Sequence, residues 1–421
     1  MVAEPGISKT MHIAMLSAEF PPRWGGMGST VFHLSSSLVE RGHRVTVITR
    51  SGSGDPPPQD GVRVITVGWA KIPMEFTRSY GRRALSALEE LNRNDPVDVV
   101  HLHCPMISWS DSQFLRCSQK IAPVVSSLHG SWLGERDGLV AAGKAKEAAV
   151  WANPNDLAIL LTARRYARFE RSAIKGSSIC IANSHATKAD FETRYGAPEN
   201  WDCEVIHWGV DTSMFRPLDA DSEDDIAEYN EIRARYGANE DGTRLVLAVG
   251  RLAARKGFGT LIRGFAKLQD KVPKSRLVIV GRGHLKGRLQ RQASRLGVGG
   301  KVAIESGMPF ESLAALFRSA DLVVYPSFYE GQGLIPLEAM ASGTPVVTVD
   351  DGPLPEMVDS SVGSLFSMGD IESMSDSIAS ELNNDSKRRE KGESGRERVI
   401  ESFTYDGNAE SFESVYKRAI S

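Results

Sequence analysis

The sequence is poor in cysteine and has no long apolar runs. Only four cysteines occur in 421 residues, and their spacings match neither a C-x-x-C pair nor a zinc site. A chain of this length does not need disulfides, so we expect reduced thiols. No apolar run reaches the roughly 18 residues of a membrane-spanning helix. Met1–Thr10 lacks the apolar core of a signal peptide, which predicts a short disordered leader in a cytoplasmic protein.

An excess of charge of one sign is also missing. The 50 basic and 53 acidic side chains give a formal net charge of -3, so no general field attracts nucleic acid. Aromatic residues make up only 7% of the chain, whereas glycine is abundant at 39 residues. This composition suits an α/β protein with many strand-to-helix turns, and the length predicts two or three domains.

Short β-branched runs alternate with amphipathic segments along most of the chain. The predicted strands are His12–Ser17, Arg44–Thr49, Val62–Val67, Asp98–His103, Val124–Leu128, Ser178–Ala182, Arg244–Val249, Arg276–Val280, Lys301–Glu305, Leu322–Tyr325 and Pro345–Val349. Helix-length segments between strands imply parallel sheets. The acidic, proline-containing stretch Gly209–Thr243 interrupts this pattern. We therefore predict two doubly wound, Rossmann-like domains over 11–208 and 209–405, and a last helix over 406–421 that packs on either domain.

The loop after the first predicted strand is rich in glycine. Gly25, Gly26 and Gly28 directly precede a predicted helix, where backbone amides can approach an anion. A tight turn that requires a positive φ angle explains the glycines equally well. The loop is not a P-loop, because no G-K-[ST] follows it.

A basic loop follows the first strand of the second half. It contains Arg251, Arg255 and Lys256 within six residues, just before a predicted helix. An isolated basic loop is usually solvated. Its position at the carboxyl end of a buried strand instead favours a diphosphate, which Arg251 can bind through two N–H groups and Lys256 as a point charge.

The segment Pro326–Pro345 is the most informative in the chain. Pro336 is tolerated only in the first turn of a helix, which predicts a helix over Leu334–Ala341. Glu330 then lies in the preceding loop and Glu338 one turn inside the helix, and free amides at the helix start face a ligand phosphate. Acidic residues that complement a helix dipole would explain only part of this pattern.

Five motifs resemble the retaining GT-B glycosyltransferases of family 4. E-G-Q-G-L-I-P-L-E, from Glu330 to Glu338, is similar to the family's E-x7-E signature. The other motifs, in family order, are Gly25–Gly26, His129–Gly130, W-G-V-D at Trp208–Asp211 and R-L-x-x-x-K-G at Arg251–Gly257. The resemblance extends from Met11 to Phe403 and implies two Rossmann-like domains that face an interdomain cleft.

The resemblance also implies an activity and its residues. A hexose would pass, with retention of configuration, from a UDP- or GDP-linked donor to a glycan, lipid-linked or small-molecule acceptor. Neither a metal nor another cofactor is obligatory in the family. The implied roles are catalysis for His129 and Glu330, diphosphate binding for Gly26, Arg251, Lys256, Gly333 and Leu334, ribose binding for Glu338, and base binding for Arg282 and Met308. Gln332 replaces the usual Phe, and the variable segment Ser131–Leu161 is expected to shape acceptor choice.

Other functions fit single fragments of the sequence. Gly281–Gly287, with Glu305 after it, imitates the dinucleotide fingerprint of an NAD-dependent dehydrogenase, but its spacing is G-x-G-x-x-x-G. His101–Cys104 resembles part of a metal site without a third ligand. Glu330 and Glu338 would lie about 12 Å apart along a helix, too far for a glycosidase pair. A non-catalytic nucleotide-sugar sensor stays open as an alternative.

Basic and aromatic residues alternate on two predicted helices of the first domain. They occur at Arg78–Arg83 and at Arg164–Phe169, and peripheral enzymes with lipid acceptors use helices of this kind. A solvated helix face explains either one alone. We hypothesise a weak association with the inner face of a membrane.

Overall fold

The computed structural model describes residues 10–22, 25–52, 54–147 and 150–421. The predicted leader, apart from Thr10, lies outside the described residues. Two parallel sheets, of seven and six strands, confirm the prediction of two doubly wound α/β domains. We name them the N-terminal and the C-terminal domain.

The N-terminal domain is built around a sheet of order β3-β2-β1-β4-β5-β6-β7. Its strands are β1 (His12–Leu16), β2 (Arg44–Arg50), β3 (Val62–Val67), β4 (Val99–Cys104), β5 (Val124–Leu128), β6 (Ile179–Ala182) and β7 (Cys203–Val205). Its helices are α1 (Gly26–Glu40), α2 (Glu75–Asn94), α3 (Asp111–Lys120), α4 (Trp132–Lys144), α5 (Pro154–Gly176) and α6 (His185–Tyr195). Strands β1, β4, β5 and β6 are buried along their whole length, because helices cover both faces of the sheet.

The C-terminal domain has a sheet of order β10-β9-β8-β11-β12-β13. Its strands are β8 (Arg244–Val249), β9 (Ser275–Val280), β10 (Val302–Glu305), β11 (Leu322–Tyr325), β12 (Val346–Val349) and β13 (Gly363–Phe366). The helices from here to the chain end are α7 (Glu223–Arg235), α8 (Phe258–Leu268), α9 (Lys286–Arg295), α10 (Phe310–Ser319), α11 (Leu334–Ala341), α12 (Leu354–Met357), α13 (Ile371–Leu382), α14 (Asp385–Ser402) and α15 (Tyr405–Ile420).

The last helix, α15, crosses back to the N-terminal domain. It packs against α1, and its Phe412 and Tyr416 are fully buried in a core that contains Ile13 and Trp208. The Tyr416 hydroxyl lies 2.8 Å from Nδ1 of His101 on β4. The helix therefore packs on the N-terminal domain in this structure, and the division into domains by residue number stays a prediction.

Each sheet reverses its strand order at one point. The reversal lies between β1 and β4 in the N-terminal domain and between β8 and β11 in the C-terminal domain. The loops that follow these strands separate there and open a crevice at the carboxyl edge of the sheet. The loops after β8 and β11 carry the basic cluster and Glu330, so the topology brings both predicted motifs to one crevice.

Two further observations bear on the sequence predictions. The four cysteines are buried and unpaired. Within the described part of the chain, none of the helices combines the length and hydropathy of a membrane-spanning segment.

Candidate active site

Lys256 and Glu330 form a buried ion pair in the C-terminal crevice. The Lys256 ammonium contacts the Glu330 carboxylate and donates a hydrogen bond to the Tyr325 hydroxyl at 2.9 Å. That hydroxyl donates to Glu330 at 2.7 Å. The two loops also pack tightly, because a Cβ atom on Gly257 would lie 2.1 Å from the carbonyl oxygen of Pro326. The basic loop and the turn at Gly331 therefore share one side of the domain.

Burial controls the charges of this pair. Lys256 is only 9% exposed, and burial lowers the pKa of its ammonium to about 8 although Glu330 opposes the shift. Burial alone would raise the pKa of Glu330, but the charges of Lys256 and Arg255 hold it below the ordinary value. Glu330 is therefore ionised at neutral pH, and it is an acceptor for hydroxyl groups rather than a proton donor.

The two arginines of the basic loop point to different partners. Arg251 is exposed, and its side chain has no partner within the described residues, so it is available to an anion. Arg255 pairs with Glu135 of the N-terminal domain at 2.9 Å and donates to the carbonyl oxygen of Tyr329 at 3.3 Å. Arg255 thus bridges the domains, and Arg251 and Lys256 remain as the cations available for a diphosphate.

Two helix N-termini face each other across the cleft. Helix α11 begins at Leu334 after Gly333, whose φ of 109° favours glycine. The amides of Gly333 and Leu334 have no acceptor within the described residues. Helix α1 begins at Gly26, where a Cβ atom would lie 3.6 Å from Cδ1 of Leu334. Both helix dipoles favour an anion at this point.

Glu338 lies one turn inside α11 at a cavity of about 160 Å³. Both domains line this cavity, through Leu334 and Glu338 on one side and Ser29 and His33 on the other. Burial raises the pKa of Glu338 to about 7, and its carboxylate has no partner within the described residues. It is therefore placed to accept hydrogen bonds from a ligand.

The two predicted base-binding residues follow neighbouring strands. Arg282 comes after β9 and Met308 after β10. Arg282 is exposed, and its Nε lies 2.9 Å from where a Cβ atom on Gly307 would be. Met308 is half-buried against the C-terminal core. The two loops are in contact and form one edge of the crevice.

His129 joins the site from the N-terminal domain. It follows β5, and its carbonyl oxygen packs so close to Gly331 that a Cβ atom there would lie 2.1 Å away. Its ring stacks on Trp208, with centroids 5.1 Å apart and planes 8° apart. Burial lowers the pKa of His129 to about 3, so the imidazole is neutral. The backbone of His129 thus contacts, across the cleft, the residue that follows Glu330.

Several residues that hold the loop after β11 were missed by the sequence analysis. The buried Gln332 accepts from the Trp208 amide at 2.7 Å and donates to the Trp208 carbonyl at 2.9 Å. The Tyr329 hydroxyl accepts from the Ser131 amide at 2.6 Å. These contacts join positions far apart in sequence. The only signal for them in the sequence was that Gln332 replaces the phenylalanine that is usual in the family motif.

Carboxylates of each domain cap a helix of the other. Glu147 accepts from the amides of Gly259 and Thr260 in the first turn of α8, at 3.1 Å for Gly259. In the opposite direction, Glu356 accepts from the amides of His185–Ala186 in the first turn of α6, at 2.9 and 2.8 Å. The cleft is therefore held by charge-assisted bonds on two sides.

The fold and this crevice define a class of protein. Two facing Rossmann-like domains, with cations and helix N-termini around the cleft between them, form a GT-B glycosyltransferase. Residues 24–214 match the family model described as Glycosyltransferase Family 4, and residues 229–398 match that of Glycosyl transferases group 1.

Relatives extend the match to nearly the whole chain. D-inositol 3-phosphate glycosyltransferase 1 of Catenulispora acidiphila is 31% identical over 82% of this chain and 79% of its own. MMP alpha-(1->4)-mannosyltransferase of Mycolicibacterium hassiacum is 28% identical over 97% and 98%. The structure of sucrose-phosphate synthase from Thermosynechococcus elongatus superposes with a TM-score of 0.77 at 22% identity, over 97% of this chain and 98% of that one. The chain belongs to the group 1 glycosyl transferases of family 4 and is a transferase, not a dehydrogenase.

Proposed function

We propose that this enzyme transfers a hexose, with retention of configuration, from a UDP- or GDP-linked donor to an acceptor hydroxyl. The observation that carries the proposal is the position of the Lys256–Glu330 pair beside the open amides of Gly333 and Leu334. In this proposal, the Lys256 ammonium and the two amides bind the diphosphate. Glu330 binds hydroxyls of the sugar that is attached to the diphosphate. Glu338 binds the ribose, and the loops of Arg282 and Met308 hold the base.

The rate enhancement comes from charge stabilisation on the leaving diphosphate. Arg251, Lys256 and the two helix N-termini are fixed before the reaction and stabilise the negative charge that develops as the glycosidic bond breaks. These protein cations take the part that a metal ion plays in other transferases, so no cofactor is obligatory. Activity is expected to survive a chelator, and its loss in EDTA would contradict this part of the proposal.

Retention is supported by the weakness of His129 as a base. An inverting reaction needs a general base whose pKa lies near the working pH, and the His129 imidazole titrates far below it. Glu330 does not serve as the base either, because its carboxylate is already bound by Lys256 and Tyr325. The acceptor hydroxyl then attacks the sugar from the same face that the phosphate leaves. The leaving phosphate accepts the proton of that hydroxyl. The product has the same anomeric configuration as the donor.

The decisive experiment begins with free nucleotides. Calorimetry against UDP, GDP and ADP should show one nucleotide that binds more tightly than the other two. The matching sugar nucleotides, incubated with candidate acceptors, should give a product whose anomeric proton coupling matches the donor. Inverted product would refute retention. Tight nucleotide binding without turnover on any acceptor would instead favour the non-catalytic sensor.

The acceptor is proposed to enter beside α4. A cavity of about 390 Å³ lies between α4, α6 and the loop after β11, and Glu330 is one of its lining residues. The α4 side is formed by Gly134, Asp137 and Gly138, which belong to the segment predicted to shape acceptor choice. Ala141 of α4 lines the same cavity, and Ala141→Leu is expected to raise the KM of the acceptor while donor affinity stays unchanged.

We also propose a weak attachment to anionic membranes through α5. The aromatic residues that the sequence analysis placed on this surface, Tyr166 and Phe169, are buried and cannot insert into lipid. The exposed stripe of α5 instead presents Leu157 and Leu161, followed at helical spacing by Arg164 and Arg168. An apolar turn next to a basic turn fits the interface of an anionic bilayer.

Liposome flotation tests this attachment. The protein should float with vesicles that contain phosphatidylglycerol and not with pure phosphatidylcholine, and high salt should weaken the effect. Leu161→Glu should abolish flotation, whereas Leu115→Glu, at a leucine exposed on α3, should leave it intact. No flotation of the wild type at low salt would remove the proposal.

A further inference from the structure

A second histidine stands behind His129 in the N-terminal domain. His103, at the end of β4, is fully buried, and its Nδ1 lies 2.9 Å from Nε2 of His129. Burial lowers the pKa of both imidazoles, so both rings are neutral and one proton lies between the two nitrogens. Which ring donates that proton determines the tautomer of His129.

The surroundings of His103 decide between the two arrangements. Its Nε2 is buried and has no hydrogen-bond partner within the described residues. If His129 donated, His103 would carry its own proton on Nε2, and a buried N–H without an acceptor is unfavourable because its lost hydrogen bond to water is not replaced. The indole N–H of Trp208, whose ring centroid lies 6.1 Å away, is a second buried donor for which the described part of the chain offers no acceptor. A proton on His103 Nε2 would add another.

The opposite arrangement leaves no buried N–H group of this pair without a partner. His103 then donates from Nδ1, its Nε2 keeps only a lone pair, and His129 carries its proton on Nδ1. His129 is partly exposed, and its Nδ1 has no partner within the described residues. The stack on Trp208 fixes the ring plane, so the N–H direction is fixed as well.

We propose that His103 is a positioning residue that holds His129 as the Nδ1–H tautomer, so that His129 donates a hydrogen bond to an oxygen of the donor substrate. The second half of this inference rests on the proposed function. The first half concerns the two imidazoles alone. His129 then acts as a fixed donor toward a sugar hydroxyl or a phosphate oxygen, and not as the base.

The tautomer can be measured without any turnover. Long-range proton–nitrogen correlation spectra of protein with nitrogen-15-labelled histidine separate the nine histidines, and the spectrum of His129→Gln assigns the His129 signals. We expect the wild type to show protonated Nδ1 and unprotonated Nε2 for His129 at pH 7. His103→Leu should shift His129 toward the Nε2–H form. His103→Asn, whose side-chain amide overlays the Nδ1–H group, should restore the wild-type pattern.

Kinetics then test the second half. His103→Leu should lower kcat by about tenfold, as expected for one lost hydrogen bond, with little change in donor KM. His103→Asn should recover most of the loss. Protonated Nε2 on wild-type His129 would overturn the inference, even if His103→Leu does not fold. A correct tautomer in a protein that transfers no sugar would refute the proposed function and leave the role of His103 standing.

Discussion

Among single residues, Lys256 has a charge that changes at mildly alkaline pH. Because burial lowers its pKa to about 8, the ammonium that we propose to bind the diphosphate loses its proton as the pH rises through 8. We expect UDP or GDP affinity to weaken above pH 8, by at most about tenfold per pH unit. Calorimetry measures this directly. Lys256→Met should bind weakly with no further loss at alkaline pH, and a flat wild-type profile up to pH 9.5 would contradict the role of Lys256.

Glu170 gives a second pH prediction, for stability. Burial raises the pKa of this carboxyl to about 8, although the Trp132 amide at 3.0 Å and the Tyr195 hydroxyl at 2.6 Å oppose the shift. The folded state therefore holds a proton that the unfolded state releases near pH 4.3. The stability from this group is complete below that pH and is lost as the pH rises through 8.

Glu170→Gln keeps the shape of the protonated form and removes the titration. As the pH rises from 5 to 8, the unfolding free energy of the wild type should fall relative to that of Glu170→Gln, by at most about 1.4 kcal/mol per pH unit. Denaturant titrations at pH 5.5, 6.5 and 7.5 measure the difference. Parallel curves for the two proteins would show that Glu170 is ionised in the folded state.

At the scale of elements, the N-termini of α6 and α8 connect the domains. Glu356 accepts from two amides of α6 and also from Nε2 of His207 at 2.8 Å. Removing a capping acceptor costs about 0.5–2 kcal/mol. Glu356→Ala should therefore lower the thermal midpoint and raise donor KM, because the cleft closes less often.

The control for this prediction is a glutamate that lies outside the cleft. Glu372 lies on α13, is half-exposed, and pairs with lysines of its own domain. Glu372→Ala should change stability little, because exposed ion pairs contribute little, and should leave donor KM unaltered. Equal effects of the two variants on KM would mean that α6 capping does not serve closure.

Local sequence predicted some elements well and missed others for identifiable reasons. Helix α11 was predicted with its observed bounds, because Gly333 and Pro336 mark its start and the positions of its ends are set locally. Strand β13 was missed: Gly-Ser-Leu-Phe has four residues and no β-branched side chain. The cap from Glu147 to α8 joins positions 112 residues apart or more, and no local pattern encodes such a pairing.

The same distinction applies to the candidate site. The sequence marked Arg251, Lys256, Glu330 and Glu338, because charged residues beside glycine at strand ends are visible in one dimension. It assigned no role to Arg255, since only the folded chain shows its bond to Glu135. The roles assigned to these residues stay predictions until ligand-bound measurements are made.

On the scale of the whole molecule, the last helix, α15, supports a candidate active site whose residues lie mainly in the middle of the sequence. Phe412 of α15 stacks on Trp208 at a centroid distance of 5.0 Å, and Trp208 stacks on His129. Gln332 fixes the backbone of the same tryptophan from the C-terminal domain. Trp208 is thus the point where both domains and the last helix meet, and its position controls the ring of His129.

Phe412→Ala tests this connection. Deleting a fully buried phenylalanine costs about 3–5 kcal/mol, and the cavity beside Trp208 should let the His129 ring move, so kcat should fall more than donor affinity. Phe265→Ala, at an equally buried position on α8 in the C-terminal core, should cost similar stability with a smaller loss of kcat. Thermal unfolding and initial rates at a temperature well below both midpoints separate the two effects. If both variants lose stability and kcat in the same proportion, the stack on Trp208 does not position His129, and α15 serves folding alone.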